Sequence, residues 1–157
     1  MAKTRILFLC TGNSCRSQMA EGWAKNLLPS GYEAFSAGIE AHGLNPSAVR
    51  VMQEAGVDIS RQQSQTLDDL GQEDFDFIIT VCDHAHKTCP TPRQGQIILK
   101  CFDDPPRLAE SVKTEEESLT IYRRVRDEIR AWVNQLPSLI QQMSDEKHNE
   151  KETQCWQ

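Results

Sequence analysis

At 157 residues the chain is long enough to bury a core, and nothing in it suggests a second domain. Its formal charge of -6 argues against holding nucleic acid or an anionic membrane by bulk charge, so any positive field must be local. With no secretory leader and no apolar stretch fit to cross a bilayer, a soluble cytoplasmic protein is expected. Its six cysteines then read as catalytic, redox or metal-binding thiols rather than a disulfide framework.

The first element is the apolar run Ile6-Leu7-Phe8-Leu9, read as a buried strand, and it ends at a thiol. From Cys10 to Ser17 the chain reads Cys-Thr-Gly-Asn-Ser-Cys-Arg-Ser. Helical spacing follows over 18–28, with Met19, Trp23 and Leu27 on one face. A loop between a strand and a helix N-terminus points successive amides and the positive end of the helix dipole at whatever sits in its bowl, which suits a tetrahedral oxyanion. Gly12 and Asn13 tolerate the left-handed backbone such a loop needs, and Arg16 offers a planar fork for two anion oxygens. Cys10 in that field is expected to ionise readily, with a hydrogen bond from Ser17 as further help. A fall of its pKa from about 8.5 to about 6 would raise the thiolate fraction at neutral pH to roughly 90%. The plainer alternative is an anion-binding loop with a strand-ending cysteine and no catalysis.

The spacing Cys-x5-Arg-Ser between strand and helix resembles the signature of the low-molecular-weight protein tyrosine phosphatase superfamily. The fuller string, running on through Gln18-Met19-Ala20-Glu21-Gly22-Trp23, resembles its arsenate reductase branch. The resemblance covers residues 3 to about 136. It implies a loop of Cys10, Thr11, Gly12, Asn13, Ser14, Cys15 and Arg16 that binds arsenate, with phosphate or sulfate as mimics, and Cys10 as the nucleophile.

Further along, Pro29-Ser30-Gly31 makes a turn, Tyr32 to Ala37 reads as a strand ending at Gly38, and a loop carries Glu40 and His42. His42 is weighed as a site residue against a solvated loop histidine. Asn45-Pro46 starts a helix with Asn45 as cap, and Gly56 stops it. Residues 60–74 are polar and weakly patterned, with a short helix expected around Leu67 to Leu70. A strand is expected from Phe75 to Val81, and Cys82 follows it. Ligands of open parallel sheets gather at the carboxyl ends of strands, so Cys10 and Cys82 are expected on one rim.

The stretch Cys-Asp-His-Ala-His-Lys-Thr-Cys brings Cys89 back within seven residues of Cys82. Three thiols on one rim allow a relay in which Cys82 attacks oxidised Cys10 and Cys89 attacks Cys82. The alternatives are a zinc site of Cys82, His84, His86 and Cys89, whose spacing fits no common zinc knuckle, and a plain surface loop. The arsenate reductase branch carries two thiols after this strand, so the resemblance favours the relay, reduced in turn by thioredoxin or glutaredoxin, with no metal and no cofactor.

A fourth strand is expected from Gln96 to Cys101, and Phe102-Asp103-Asp104-Pro105 follows on the same rim. A carboxylic acid there could protonate an oxygen leaving the tetrahedral centre. Either aspartate can serve; the resemblance assigns the acid to Asp104, directly before proline. Thr114-Glu115-Glu116-Glu117 is a capping box, and its helix carries Tyr122, Val125, Ile129, Trp132 and Leu136 as a core stripe, to be kinked or ended by Pro137. Cys15 and Cys101 read as packing residues. The catalytic domain is expected over 1–143, with 144–157 a disordered polar tail that holds Cys155.

The expected fold is α/β, a three-layer sandwich with a four-stranded parallel sheet like that of the phosphatase superfamily. Three functions compete: arsenate reduction, phosphatase chemistry through a Cys10 phosphocysteine, and a sensor whose thiols hold arsenite or a soft metal. Tyrosine phosphatases of the superfamily tend to have an aliphatic residue after the nucleophile, proline after Arg-Ser, and aromatic residues after Asp-Pro. Thr11, Gln18 and Pro106-Arg107 stand in those places. A sensor leaves Arg16 and Asp104 without a task, so reduction is favoured. Several reductases of the branch bind potassium through positions matching Asn13, Glu21 and Ser36 plus a threonine and an aspartate, but the last two are Gln63 and Gln65 here.

Overall fold

The computed structural model describes residues 3–71, 74–81 and 95–155, apart from the side chains of 147–155. The apolar run after Arg5 forms β1 (Thr4–Cys10), with every side chain from Ile6 to Cys10 buried. Continuous burial is what a central strand of a parallel sheet requires, since helices cover both faces. Three more strands join it: β2 (Tyr32–Gly38), β3 (Phe77–Thr80) and β4 (Gln96–Leu99). All pairings are parallel and the spatial order is β2-β1-β3-β4. Cys10 pairs with Gly38 and Leu9 with Thr80, so β1, β2 and β3 end together on one rim.

Among the described residues the helices are α1 (Arg16–Leu27), α2 (Pro46–Glu54), α3 (Pro105–Ala109) and α4 (Glu115–Cys155), with a 3-10 turn at Asp68–Leu70. Asn45 caps α2 as its residue type predicts, its Oδ1 accepting from the amides of Ser47 at 2.9 Å and Ala48 at 3.1 Å. Thr114 does the same for α4, taking the Glu117 amide on its hydroxyl at 3.1 Å. Trp23 of α1 is buried against α4, where its indole N-H donates to the Arg126 carbonyl at 3.1 Å.

Two expectations change, those for Trp132 and Cys101. The helix α4 runs on through Pro137: the ring removes one backbone bond, but Val133, Leu136 and Ile140 around it are buried, which offsets a cost of about 3 kcal/mol. Its backbone is helical through Ser144 to Cys155, a stretch that lacks glycine and proline and carries three glutamates and two lysines, good helix formers. Val133, not Trp132, fills the core, while Trp132 is half-buried and meets Phe102 edge-on with ring centres 6.2 Å apart. Cys101 is exposed rather than packed, because β4 is the sheet edge and ends before it. Among the described residues no helix is long and apolar enough to cross a membrane.

Candidate active site

The site forms where β1 hands over to α1. Cys10 is the last residue of the strand and Arg16 the first of the helix, so five residues must turn the chain. Asn13 makes the turn with φ +46°, the left-handed region that asparagine tolerates better than most side chains. The loop's carbonyls are drawn outward by the neighbouring segment. Glu40 N donates to Thr11 O at 3.0 Å, His42 N to Gly12 O at 2.9 Å and Asn45 N to Ser14 O at 3.0 Å. With its acceptors engaged outside, such a loop keeps its donors for an anion within.

The inner wall is held by amides. Asn13 Oδ1 accepts from Gln18 Nε2 at 3.0 Å and from the Gln65 amide at 2.8 Å, and Asn13 Nδ2 donates to Ser17 Oγ at 2.9 Å. Gly38 backs the loop from β2. A Cβ there would stand 2.8 Å from both Asn13 N and Thr11 O and even closer to Glu40 O, so only glycine lets the loop approach. His42 lies over Gly12, with Nε2 2.6 Å from the Glu40 carboxylate.

A cleft of about 800 Å³ opens above the loop, lined by Cys10, Arg16, His42, Phe102, Asp104 and Arg107 among others. The Arg16 guanidinium is fixed by Nη1 donating to the Phe102 carbonyl at 3.0 Å, and its Nη2 faces Asp104 Oδ1 at 3.7 Å. Its Nε is buried and has no hydrogen-bond partner among the described residues, an unmet donor where an anion is expected. Asp103 turns instead to Arg124 of α4, at 3.1 Å. Asp104 directly precedes α3, a helix that the Pro105-Pro106 pair obscures in the sequence; proline at the first helical position fits. Cys15 faces the core, and burial pushes its thiol well above the ordinary cysteine value, against a smaller pull from Arg16.

Cys82, His84, His86 and Cys89 lie outside the described residues, as does the Cys155 side chain. The network missed from sequence joins Gln18 of α1 to Gln62 and Gln65, which sit in a stretch without periodicity. The polarity of that stretch reads as solvated loop, and nothing in its own pattern says otherwise. The oxygens at the positions that match a potassium site accept from N-H, O-H and ammonium donors. Glu21 Oε2 is 2.7 Å from Lys25 Nζ, Glu21 Oε1 accepts from Ser36 Oγ at 2.7 Å, and Ser36 O accepts from Gln65 Nε2 at 3.0 Å. This set does not fit an alkali cation.

Residues 5–149 match the family described as low molecular weight phosphotyrosine protein phosphatase. The chain belongs to this family. Within reach of it, an arsenate reductase of Halalkalibacterium halodurans is 52% identical over 130 residues, covering 82% of this chain and 91% of that protein. Among solved structures, an arsenate reductase in the oxidized state superposes with a TM-score of 0.70 at 30% identity, over 87% of this chain and 98% of that one. The family's other face is near too: a low molecular weight protein tyrosine phosphatase from T. tengcongensis gives a TM-score of 0.67 at 26% identity, covering 87% and 99%. The family fold accounts for the four-stranded parallel sheet and for the loop that joins Cys10 at the end of β1 to α1.

Proposed function

We propose that the chain reduces arsenate to arsenite, with Cys10 as nucleophile. The observation that carries this reading is the loop itself: carbonyls tied outward, a buried Arg16 Nε without a partner among the described residues, and Asp104 facing the same guanidinium. The kinship with arsenate reductases at about half identity supports the choice of oxyanion. In this reading the Cys10 thiolate attacks arsenic, and Asp104 gives a proton to the departing oxygen, which leaves as water. The Cys82 thiolate then attacks the Cys10 sulfur. The sulfur–arsenic bond breaks, its electron pair goes to arsenic, and arsenite departs as the Cys10–Cys82 disulfide forms. Cys89 attacks Cys82, returning the Cys10 thiolate, and a dithiol protein, thioredoxin or glutaredoxin, reduces the Cys82–Cys89 pair. The cytoplasm, where such dithiols are kept reduced, is the compartment this cycle requires.

Phosphate-ester hydrolysis through Cys10 is the second reading, favoured by the family and by the same loop. It needs no thiol beyond Cys10. The wall after Asp104 offers Pro106, Arg107 and Leu108 rather than aromatic rings, so an aryl phosphate is gripped poorly.

The test is arsenate-dependent NADPH oxidation with thioredoxin and its reductase, or glutaredoxin with glutathione, for wild type, Cys82→Ser and Cys89→Ser. Hydrolysis of an aryl phosphate runs alongside. Turnover in wild type that both variants lose, with ester hydrolysis kept, upholds the relay. Efficient ester hydrolysis by all three without arsenate turnover makes the protein a phosphatase.

A further inference from the structure

Gln18 is fully buried in the first turn of α1, one residue past Ser17, in a place where an apolar side chain would be ordinary. Its Nε2 lies 3.0 Å from each of three acceptors: the Asn13 carbonyl, Asn13 Oδ1 and the Gln63 carbonyl. Its other oxygens are met by Gln62, whose Nε2 donates to Gln18 Oε1 at 2.8 Å and to Gln18 O at 3.0 Å. One amide thus joins the anion loop, the helix and the 62–65 segment. Two of its three acceptors belong to Asn13, the residue in the left-handed conformation. A non-glycine residue there costs on the order of 1 kcal/mol and needs its surroundings to hold it.

The consequence passes down a chain of donors. Asn13 Oδ1 is fixed by Gln18 and Gln65, so Asn13 Nδ2 is turned to Ser17 Oγ. A hydroxyl oxygen that accepts there keeps its own hydrogen to give elsewhere. Ser17 is buried at the start of the helix whose preceding loop begins at Cys10.

We propose that Gln18 is a positioning residue for the Cys10 thiolate: it pins Asn13 in the left-handed turn and, through Asn13, aims the Ser17 hydroxyl at the sulfur. This rests on Cys10 being the nucleophile and adds a residue that touches neither substrate nor sulfur. Loss of the amide removes a hydrogen bond to the ionised form and leaves the unionised form untouched, so thiolate formation moves to higher pH.

The experiment is the pH profile of Cys10 alkylation by iodoacetamide in the full-length protein. It is read on the tryptic peptide from Ile6 to Arg16 by fragment ions that separate Cys10 from Cys15. Gln18→Met keeps the length and drops every side-chain hydrogen bond. The expected result is a midpoint higher by one unit or more, hence about tenfold slower labelling below the wild-type midpoint, with equal rates once both thiols are ionised. Gln62→Ala, which removes only the outer support, is expected to shift the midpoint in the same direction by less, and serves should Gln18→Met not fold. A lower thermal midpoint with an unmoved alkylation profile in the folded variants overturns the proposal and leaves Gln18 a packing residue. A wild-type midpoint no lower than that of a free cysteine overturns the nucleophile reading instead.

Discussion

Arg16 Nη2 faces Asp104 Oδ1 at 3.7 Å across the cleft mouth, while the adjacent carboxylate, Asp103, is held 3.1 Å from Arg124 on the flank of α4. The two aspartates, indistinguishable by residue type, are separated by what each one meets. Asp104→Asn is therefore expected to lower arsenate turnover by about 10²–10⁴, as loss of a general acid does, with Asp103→Asn within a few-fold of wild type. Steady-state rates at saturating arsenate check this; equal losses in both variants would remove the acid role from Asp104.

Arg16→Lys keeps the charge but loses the fork that bonds the Phe102 carbonyl and leaves Nε for the anion. Turnover is expected to drop about 10²–10³-fold, the usual cost of one lost oxyanion donor, and sulfate should no longer protect Cys10 from alkylation.

Gly38→Ala places a methyl against Asn13 N, Thr11 O and Glu40 O, all backbone atoms that cannot swing aside. The expected outcome is a lower thermal midpoint together with weaker phosphate binding by calorimetry. A variant that binds phosphate as wild type does would mean that β2 and the loop part without cost.

Glu54, at the end of α2, receives both Nε and Nη2 of Arg123, at 2.9 and 3.0 Å. Arg123 holds its carboxyl below the usual carboxylate value. The pair therefore stabilises the fold at pH above the unfolded value of about 4.3, and that contribution fades as pH falls through the lower folded value. Urea midpoints of wild type and Glu54→Gln should differ at pH 7 and converge on acidification; a constant gap would assign the effect to packing.

Asn45→Ala removes the cap of α2 and the bond from Nδ2 to the Tyr122 hydroxyl at 3.1 Å. About 1 kcal/mol of stability should be lost by denaturant titration. Because Asn45 N also holds the Ser14 carbonyl through the backbone, the loop's own geometry should survive.

The strand, loop and helix around Cys10 were legible because their signals are consecutive: a buried run, turn-tolerant residues, then helical spacing. The caps at Asn45 and Thr114 were legible for the same reason. What escaped depends on partners far along the chain. Trp132 and Val133 are neighbours in sequence, and only the packing of α4 decides which enters the core. Cys101 follows an apolar strand, yet that strand is an edge. The glutamines from 62 to 65 carry no pattern; their meaning comes from Gln18, more than 40 residues away.

The order β2-β1-β3-β4 also sets the sequence in which parts of the site fail. With a paired strand on either side, the β1 amides should exchange with solvent only when the whole domain opens, whereas β4 has one neighbour and exposes Ile97 and Leu99. Partial opening would start at that margin and release Phe102, the residue that braces Arg16, while Cys10 is still seated. Damage by mild heat or denaturant is thus first a loss of grip on the anion, and only later a loss of the nucleophile.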